Sequence, residues 1–211
     1  MAALANRPKT TLEEILDAAE SLLKRRGSEG LSVRAVAHAV GISVGNLQYH
    51  VPTRAKLLDA VFSRRADEFR SSLLGKVEKI DDPRDRFETL VDFWLASQHK
   101  ADQVLFWHLW AISAHDVDAS RTMATVYRET VDFIADLLRE MNPKLSLSSA
   151  KRRAALIVSM VEGSGLFVGH GRRPDRGLAS LQVEVKNSVM EMAGRKVEMK
   201  SRSRRMGKAA Q

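Results

Sequence analysis

The chain of 211 residues contains no cysteine, only five prolines and few aromatic residues, which make up 6% of the sequence. The lack of cysteine excludes disulfides, thiolate catalysis, cysteine-based zinc sites and a thiol redox sensor. The first nine residues lack the apolar core of a signal peptide. The longest apolar runs, at 104–112 and 154–161, are much shorter than the roughly 20 residues of a membrane-spanning helix. We therefore expect a cytoplasmic protein with no membrane partner.

Positive charge is concentrated at the two ends of the chain. The formal net charge is +8, and residues 195–211 carry seven basic side chains against one acidic side chain. Residues 76–194 are nearly balanced, with 16 basic and 17 acidic groups. A polyanion is therefore expected to bind near the ends of the chain. We predict that the basic tail is disordered, with added non-specific DNA affinity as the alternative, and that residues 1–9 form a short arm.

The five prolines separate segments whose apolar residues recur every three or four positions, which is the spacing of amphipathic helices. Strand-like alternation is absent from the sequence. We predict an all-α fold of about nine helices. The predicted parts are residues 1–53, a connecting helix at 54–75, a larger domain at 76–194 and the tail at 195–211.

The segment 32–54 has the spacing of a DNA-binding helix-turn-helix. Ala37 is small where two short helices must approach, Gly41 suits a left-handed turn, and Leu47 would pack back against the first helix. On the second helix, amide side chains can pair with adenine and a valine can contact a thymine methyl group. Hydroxyl and basic groups nearby can bind phosphates. The predicted DNA-binding residues are Ser32, Arg34, Ser43, Val44, Gly45, Asn46, Gln48, Tyr49, His50, Thr53 and Arg54.

These residues resemble the N-terminal domain of the tetracycline-repressor (TetR) family of bacterial transcription regulators. The resemblance implies an N-terminal three-helix helix-turn-helix domain that binds DNA, at 1–53, and a helical domain for ligand binding and dimerisation, at 76–194. It also implies a homodimer that binds a palindromic operator, with repression as the usual outcome. The family usually has Tyr where this chain has Gln48 and Phe where it has Val51, so an aromatic contact with the DNA backbone is expected from Tyr49. The matching positions are Gly27, Leu31, Ser32, Val33, Arg34, Val36, Ala37, Gly41, Ile42, Ser43, Gly45, Leu47, His50, Pro52, Arg54, Leu57 and Leu58.

The same resemblance implies that the last two long helices form a four-helix bundle with those of a second subunit. The sequence supports this interpretation, because apolar side chains recur every three or four positions in both segments. Gly163 and Gly165 would permit close approach. Packing within one subunit is the alternative. The predicted interface residues are Ile157, Val161, Leu178, Leu181, Val185, Val189 and Met192.

Residues 84–168 contain all three tryptophans and are the predicted location of an effector pocket. Aromatic side chains with a few polar groups are typical of ligand pockets, although any single aromatic residue fits an ordinary core equally well. Glu162 lies in an apolar run, and a carboxylate among aromatic rings would suit an organic cation. A hydrophobic or anionic ligand, or no ligand, is the alternative. The predicted effector-binding residues are Trp94, Phe106, Trp107, His108, Trp110, Glu162 and Phe167.

The segment 107–115 also resembles the corresponding helix of choline-responsive, BetI-type repressors. We find no nucleophile–base pair, phosphate loop or metal-binding motif. The histidines His99, His108, His115 and His170 are too widely spaced to predict a metal site. We therefore expect no enzymatic activity and no cofactor. The competing hypothesis is a DNA-organising protein of the same fold that does not respond to small molecules.

Overall fold

The structure, a computed structural model, describes residues 9–98, 103–168 and 175–195. Residues 1–8 of the predicted N-terminal arm, His99, His170 and nearly all of the basic tail lie outside these ranges. Within them the chain forms nine α-helices, two 3-10 turns (Ser28–Gly30 and Arg176–Leu178) and no strand, which confirms the all-α prediction. The helices are α1 Thr11–Arg26, α2 Val33–Val40, α3 Val44–His50, α4 Arg54–Val77, α5 Pro83–Ser97, α6 Gln103–Ser113, α7 Val117–Met141, α8 Leu147–Val168 and α9 Leu181–Gly194.

Most of the helices begin at a side chain that accepts a hydrogen bond from the first turn. Thr10 caps α1 in a reciprocal box with Glu13, whose carboxylate accepts from the Thr10 backbone N–H at 2.6 Å. Asp82 and Asp116 cap α5 and α7 through backbone N–H groups two and three residues ahead. Such a cap typically stabilises a helix by about 1 kcal/mol relative to alanine. From apolar spacing the sequence predicts these helices at about 11–26, 84–97 and 118–141, and the structure starts each of them within one residue of that prediction.

From apolar spacing the sequence predicts a last helix over about 176–192, but the structure starts α9 later. Residues 176–178 form a separate 3-10 turn, in which Asp175 Oδ1 accepts from the Gly177 N–H at 3.0 Å. Glycine is a poor helix former, and the aspartate side chain satisfies the local backbone in a tighter turn. The helix therefore begins five residues later, at Leu181.

Two apolar cores lie along the molecule. One is built from α1 to α3 and the first half of α4, and it also includes Leu105, Leu109 and Ile112 of α6. The other joins the second half of α4 to α5, α7, α8 and α9. Because α6 and the start of α7 contribute to the first core, residue 53 is not a packing boundary between two independent units. None of the described helices is long and apolar enough to cross a bilayer.

Candidate DNA-binding surface and ligand cavity

The helices α2 and α3 are held together by buried side chains of the predicted types. Val36, Ala37 and Leu47 are at most 2% exposed. Gly41 has φ 78° and ψ 28°, the left-handed conformation that glycine adopts without steric cost. The turn is closed by the Ile42 N–H, which donates to the Ala37 carbonyl at 3.0 Å. This packing fixes α3 against α2 and leaves the opposite side of α3 in solvent.

The outward side of α3 presents the side chains that the sequence predicted for base contacts. Tyr49 is 85% exposed, and its ring meets the His50 ring edge-on at 5.3 Å between centroids. A Cβ added at Gly45 would lie 4.0 Å from the Ser43 hydroxyl oxygen and near nothing else, so the surface there is open. The exposed predicted residues of this helix and its cap are Ser43, Val44, Gly45, Asn46, Gln48, Tyr49 and His50.

Three predicted phosphate contacts are N-caps. The hydroxyl oxygens of Ser32, Ser43 and Thr53 each accept a backbone N–H from the residue three positions ahead, at 3.1 Å. A capping hydroxyl still carries its own hydrogen, which it can donate to a phosphate oxygen. Capping and phosphate binding are therefore compatible at these positions, and the helix N-termini favour an anion. Arg34, in the first turn of α2, is exposed.

Arg54 is placed differently from the prediction that it contacts phosphate. Its Nε donates to the Leu31 carbonyl at 3.1 Å, and one terminal nitrogen donates to the Asp116 carboxylate at 2.9 Å. The guanidinium is thus engaged with two other segments of the protein. Its sequence position, one residue after the Thr53 cap, could not reveal Asp116, which lies 62 residues away.

A cavity lies between α4, α5, α6, α7 and α8 in the larger half of the chain. The space between these helices, including its open mouth, is about 700 Å³. The lining is mainly aromatic and aliphatic, with a few polar groups. The lining residues are Ala66, Phe69, Arg70, Leu73, Leu90, Trp94, Ser97, Phe106, Val126, Tyr127, Thr130, Phe133, Ile134 and Glu162.

Two tryptophans organise the polar groups of this cavity. The Trp94 indole N–H donates to Glu162 Oε1 at 3.1 Å and so fixes the carboxylate against an aromatic wall. The Trp110 indole N–H donates to the Tyr127 hydroxyl at 2.7 Å. Burial, followed by the nearby negative charge of Glu162, raises the pKa of the Tyr127 phenol far above its usual range. Tyr127 therefore stays neutral and able to donate its hydroxyl hydrogen.

The basic residue in the cavity wall is neutralised by acidic neighbours. Arg70 donates to Asp67 at 2.6 Å and to Glu129 at 3.2 and 3.3 Å. These hydrogen bonds, that of Asp67 first, raise the pKa of the Arg70 guanidinium above its ordinary value. The charge of Arg70 is therefore balanced by carboxylates outside the cavity lining, and Glu162 places a further carboxylate in the cavity wall, where it would attract a positively charged ligand.

Three of the predicted effector residues, Trp94, Phe106 and Glu162, line the cavity, and Trp110 contacts it through Tyr127. Three others do not line it. Trp107 is half-buried elsewhere on α6, and Phe167 is 54% exposed on α8. His108 of α6 points toward the end of α1: a Cβ added at Gly27 would lie 3.7 Å from the His108 ring. Spacing along a single helix could not show which face of α6 meets α1 and which meets the cavity.

The sequence prediction missed the contribution of α4 to the cavity and named no residue of α7. Phe69 comes from the helix that was assigned only a connecting role. Tyr127, Thr130 and Ile134 recur at the three- and four-residue spacing of one helical face, and this pattern was the available signal. Phe69 also packs edge-on against Trp94, with 6.3 Å between ring centroids.

The predicted dimer residues are mostly part of the subunit core. Ile157, Val161 and Val189 are 0% exposed, so they present no surface to a second chain. Leu178, Leu181, Val185 and Met192 are half-buried. Gly165 packs against Gln98 of α5 in the same chain. The helical stripe was identified correctly as apolar, but it is the inward stripe. The outward face of α8 and α9 carries exposed apolar side chains of its own, at Leu156, Leu166, Phe167 and Val183.

Comparison with known proteins connects these features to a family. Residues 15–61 match the family described as bacterial regulatory proteins, tetR family. The match covers most of α1, all of α2 and α3, and the first turns of α4. The helix-turn-helix is formed by α2 and α3, and α1 and α4 share its apolar core.

Similarity extends beyond that segment. The chain is 23% identical over 163 residues to the HTH-type transcriptional regulator BetI of Brucella anthropi, covering 77% of this chain and 82% of that protein. It is 24% identical over 140 residues to the HTH-type transcriptional repressor KstR2 of Mycolicibacterium smegmatis, covering 64% and 66%. A transcriptional regulator of Saccharomonospora viridis, solved in complex with choline, shares the fold with a TM-score of 0.64. That alignment has 20% identity and covers 84% and 92% of the two chains.

Proposed function

Because the chain belongs to the TetR family of transcriptional regulators, we propose that it is a repressor whose dimer binds a palindromic operator and is released by a small molecule. The observation that carries this proposal is the surface of α3. A helix of seven residues, capped by Ser43 and seated on the buried Leu47, presents amide, hydroxyl and aromatic side chains to solvent. That combination suits base edges and phosphates of a major groove.

The partner needed for a palindrome is a second copy of the chain, and the proposed contact is the outward face of α8 and α9. On α8, exposed positions recur at 152, 155, 156, 159, 166 and 167, which is one continuous helical stripe. Several of its large apolar side chains are about half exposed in the single chain. A palindromic operator requires the two copies of α3 in such a dimer to reach successive major grooves, about 34–36 Å apart.

Selection of bound sequences from a random duplex library, with affinity measured against salt, tests the DNA-binding proposal. A palindromic site bound at least a thousandfold more tightly than bulk DNA is the expected result. Uniform, steeply salt-dependent binding would instead support the DNA-organising alternative. The variant Gly45→Ala tests whether α3 contacts the DNA. The added methyl group meets only the Ser43 hydroxyl at 4.0 Å in the free protein, so a loss of affinity would come from the DNA side.

For the effector, we propose a small organic cation that binds against the aromatic wall near Glu162. The carboxylate of Glu162, which accepts from the Trp94 indole, and the rings of Trp94, Tyr127 and Phe69 support this class. A cation over an aromatic face gains about 0.5–2 kcal/mol, most where water is excluded. The choline complex of the Saccharomonospora relative supports the same ligand class here.

Choline and its neutral isostere 3,3-dimethyl-1-butanol distinguish the ligand classes. We expect choline to quench tryptophan fluorescence and to release operator DNA, and the neutral alcohol to bind at least tenfold more weakly. Glu162→Gln keeps an acceptor for the Trp94 indole but removes the charge, so it should reduce choline binding and leave the alcohol unaffected. Equal binding of both compounds by the unmodified protein would argue for a hydrophobic effector instead.

A further inference from the structure

Arg54 joins the start of α4 to the start of α2. Its Nε donates to the Leu31 carbonyl, which immediately precedes the Ser32 cap of α2. The bond therefore holds the first turn of the helix-turn-helix against the long helix that leads to the cavity. Arginine is suited to this role because its planar guanidinium offers several donors in fixed directions.

The second partner of Arg54 belongs to α7. Asp116 uses Oδ1 to accept the N–H groups of Asp118 and Ala119, both at 3.0 Å, and uses Oδ2 to accept from Arg54 at 2.9 Å. Both side chains of the ion pair are about one third exposed. The Ala119 N–H and the Arg54 guanidinium lower the pKa of the Asp116 carboxyl, so it is charged at neutral pH.

The helix that begins at Asp116 leads directly into the cavity wall. Val126, Tyr127 and Thr130 of α7 line the cavity. Ten residues of α-helix separate Asp116 from Val126, a rise of about 15 Å. A second polar contact, from the Thr122 hydroxyl to Asp59 Oδ1 at 3.4 Å, joins α7 to α4 between these two points. A displacement of α7 by a cavity occupant would therefore change the geometry at Asp116.

We infer that Arg54 and Asp116 are positioning residues that couple the cavity wall to the DNA-reading helices, and that Arg54 does not act as a phosphate contact. The inference rests on the proposed repressor function. In the free protein the pair holds α2 and α3 in the orientation that binds DNA. A cavity occupant that shifts α7 strains or breaks the ion pair, and α2 and α3 are then no longer held in the DNA-binding orientation.

This assignment is tested by measuring the operator affinity of three variants: Arg54→Gln, Asp116→Asn and the double variant. Asparagine still caps α7, so Asp116→Asn removes the ion pair without removing the cap. We expect each single variant to bind the operator about three- to fivefold more weakly, and the double variant to be no weaker than either. The slope of log affinity against log salt should stay that of the unmodified protein. Asp118→Asn, which removes the neighbouring pair with Arg121 on the same turn, is the matched control and should leave affinity unchanged.

A phosphate contact predicts a different pattern. Arg54→Gln alone would then weaken binding and flatten the salt slope by about one unit, whereas Asp116→Asn would free the guanidinium and leave affinity equal or higher. That result overturns the inference. Failure of the proposed function itself is distinguishable, because the unmodified protein would then show no preferred DNA site.

The link to the cavity is tested by a side chain that acts as a tethered occupant. Thr130→Phe places a ring into the cavity from α7 and needs no knowledge of the natural effector. In the otherwise unmodified chain we expect operator affinity to fall at least threefold, and in the Asp116→Asn background to fall no further. An equal fall in both backgrounds, or none in either, contradicts coupling through this pair. Circular dichroism confirms folding, and Ala66→Met is the second variant if Thr130→Phe unfolds.

Discussion

Gln98 is buried to 0% exposure at the end of α5, and neither its amide nitrogen nor its amide oxygen has a hydrogen-bond partner among the described residues. The side chain packs against Gly165, where an added Cβ would lie 2.5 Å from the amide oxygen. A buried polar group without a partner costs about 1–3 kcal/mol, so this position lowers the stability of the fold. Sequence reasoning could not identify it, because glutamine is usually a surface residue.

Gln98→Met should stabilise the protein by about 1 kcal/mol, because methionine has a similar shape and no polar atom to leave unpaired. Thermal unfolding should show a midpoint about 2–4 °C higher. Gln182→Met is the matched control, since Gln182 donates to the Leu95 carbonyl at 3.1 Å and its loss should destabilise the fold. A lower midpoint for Gln98→Met would mean that the amide holds an ordered water.

Among elements, α1 is attached to α4 by an ionic cluster around a buried carboxylate. Glu20, 7% exposed, pairs with Lys24 at 2.7 Å, with Arg64 at 3.0 Å and with Arg65. Removing one member of a buried ionic network leaves the others uncompensated, which costs more than the network contributes when intact. The sequence showed the helices and their apolar stripes correctly, but this contact joins residues more than 40 positions apart.

Glu20→Gln should therefore lower the free energy of unfolding by about 2–3 kcal/mol, as measured by urea denaturation. Glu68 contacts the same two arginines but is about half exposed, so Glu68→Gln should cost less than about 1 kcal/mol. Equal losses for the two variants would show that burial of Glu20 does not determine the effect.

The contact between α6 and α1 should make stability depend on pH. Burial lowers the pKa of the His108 imidazole below its ordinary value of 6.5. The unfolded chain therefore binds a proton more readily than the folded chain, and stability is lost as pH falls from about 6.5 through the lowered pKa. His108→Gln should reduce this loss in urea unfolding between pH 7 and pH 5. An unchanged pH profile would assign the dependence to other groups.

At the scale of the whole molecule, the sequence predicted the fold class and the helix-turn-helix, because capping residues and apolar spacing are local signals. It did not show which apolar stripe faces inward. Ile157 and Leu156 are adjacent on α8, yet one is 0% and the other 56% exposed. That distinction depends on how α8 is rotated against α5, α7 and α9, and no single helix determines it.

The proposed dimer depends on the exposed stripe of α8. Leu156→Glu should shift the protein to monomers in sedimentation equilibrium and lower operator affinity at least tenfold, because two linked half-sites bind more tightly than one. Leu147→Glu is the control: it is 49% exposed, lies on the same helix and faces the opposite side. Dissociation by both variants, or by neither, would place the interface elsewhere.

The core shared by α1, α3, α4 and α6 has a consequence for modular engineering of such regulators. Three side chains of α6 are buried against the N-terminal helices although they follow residue 53 by 50 residues or more: Leu105, Leu109 and Ile112. A chimera cut at residue 53 would set these side chains against a foreign surface that did not evolve with them. A functional graft would have to carry the inner face of α6 along with the transplanted N-terminus, so a single junction at residue 53 cannot separate the two halves of the chain.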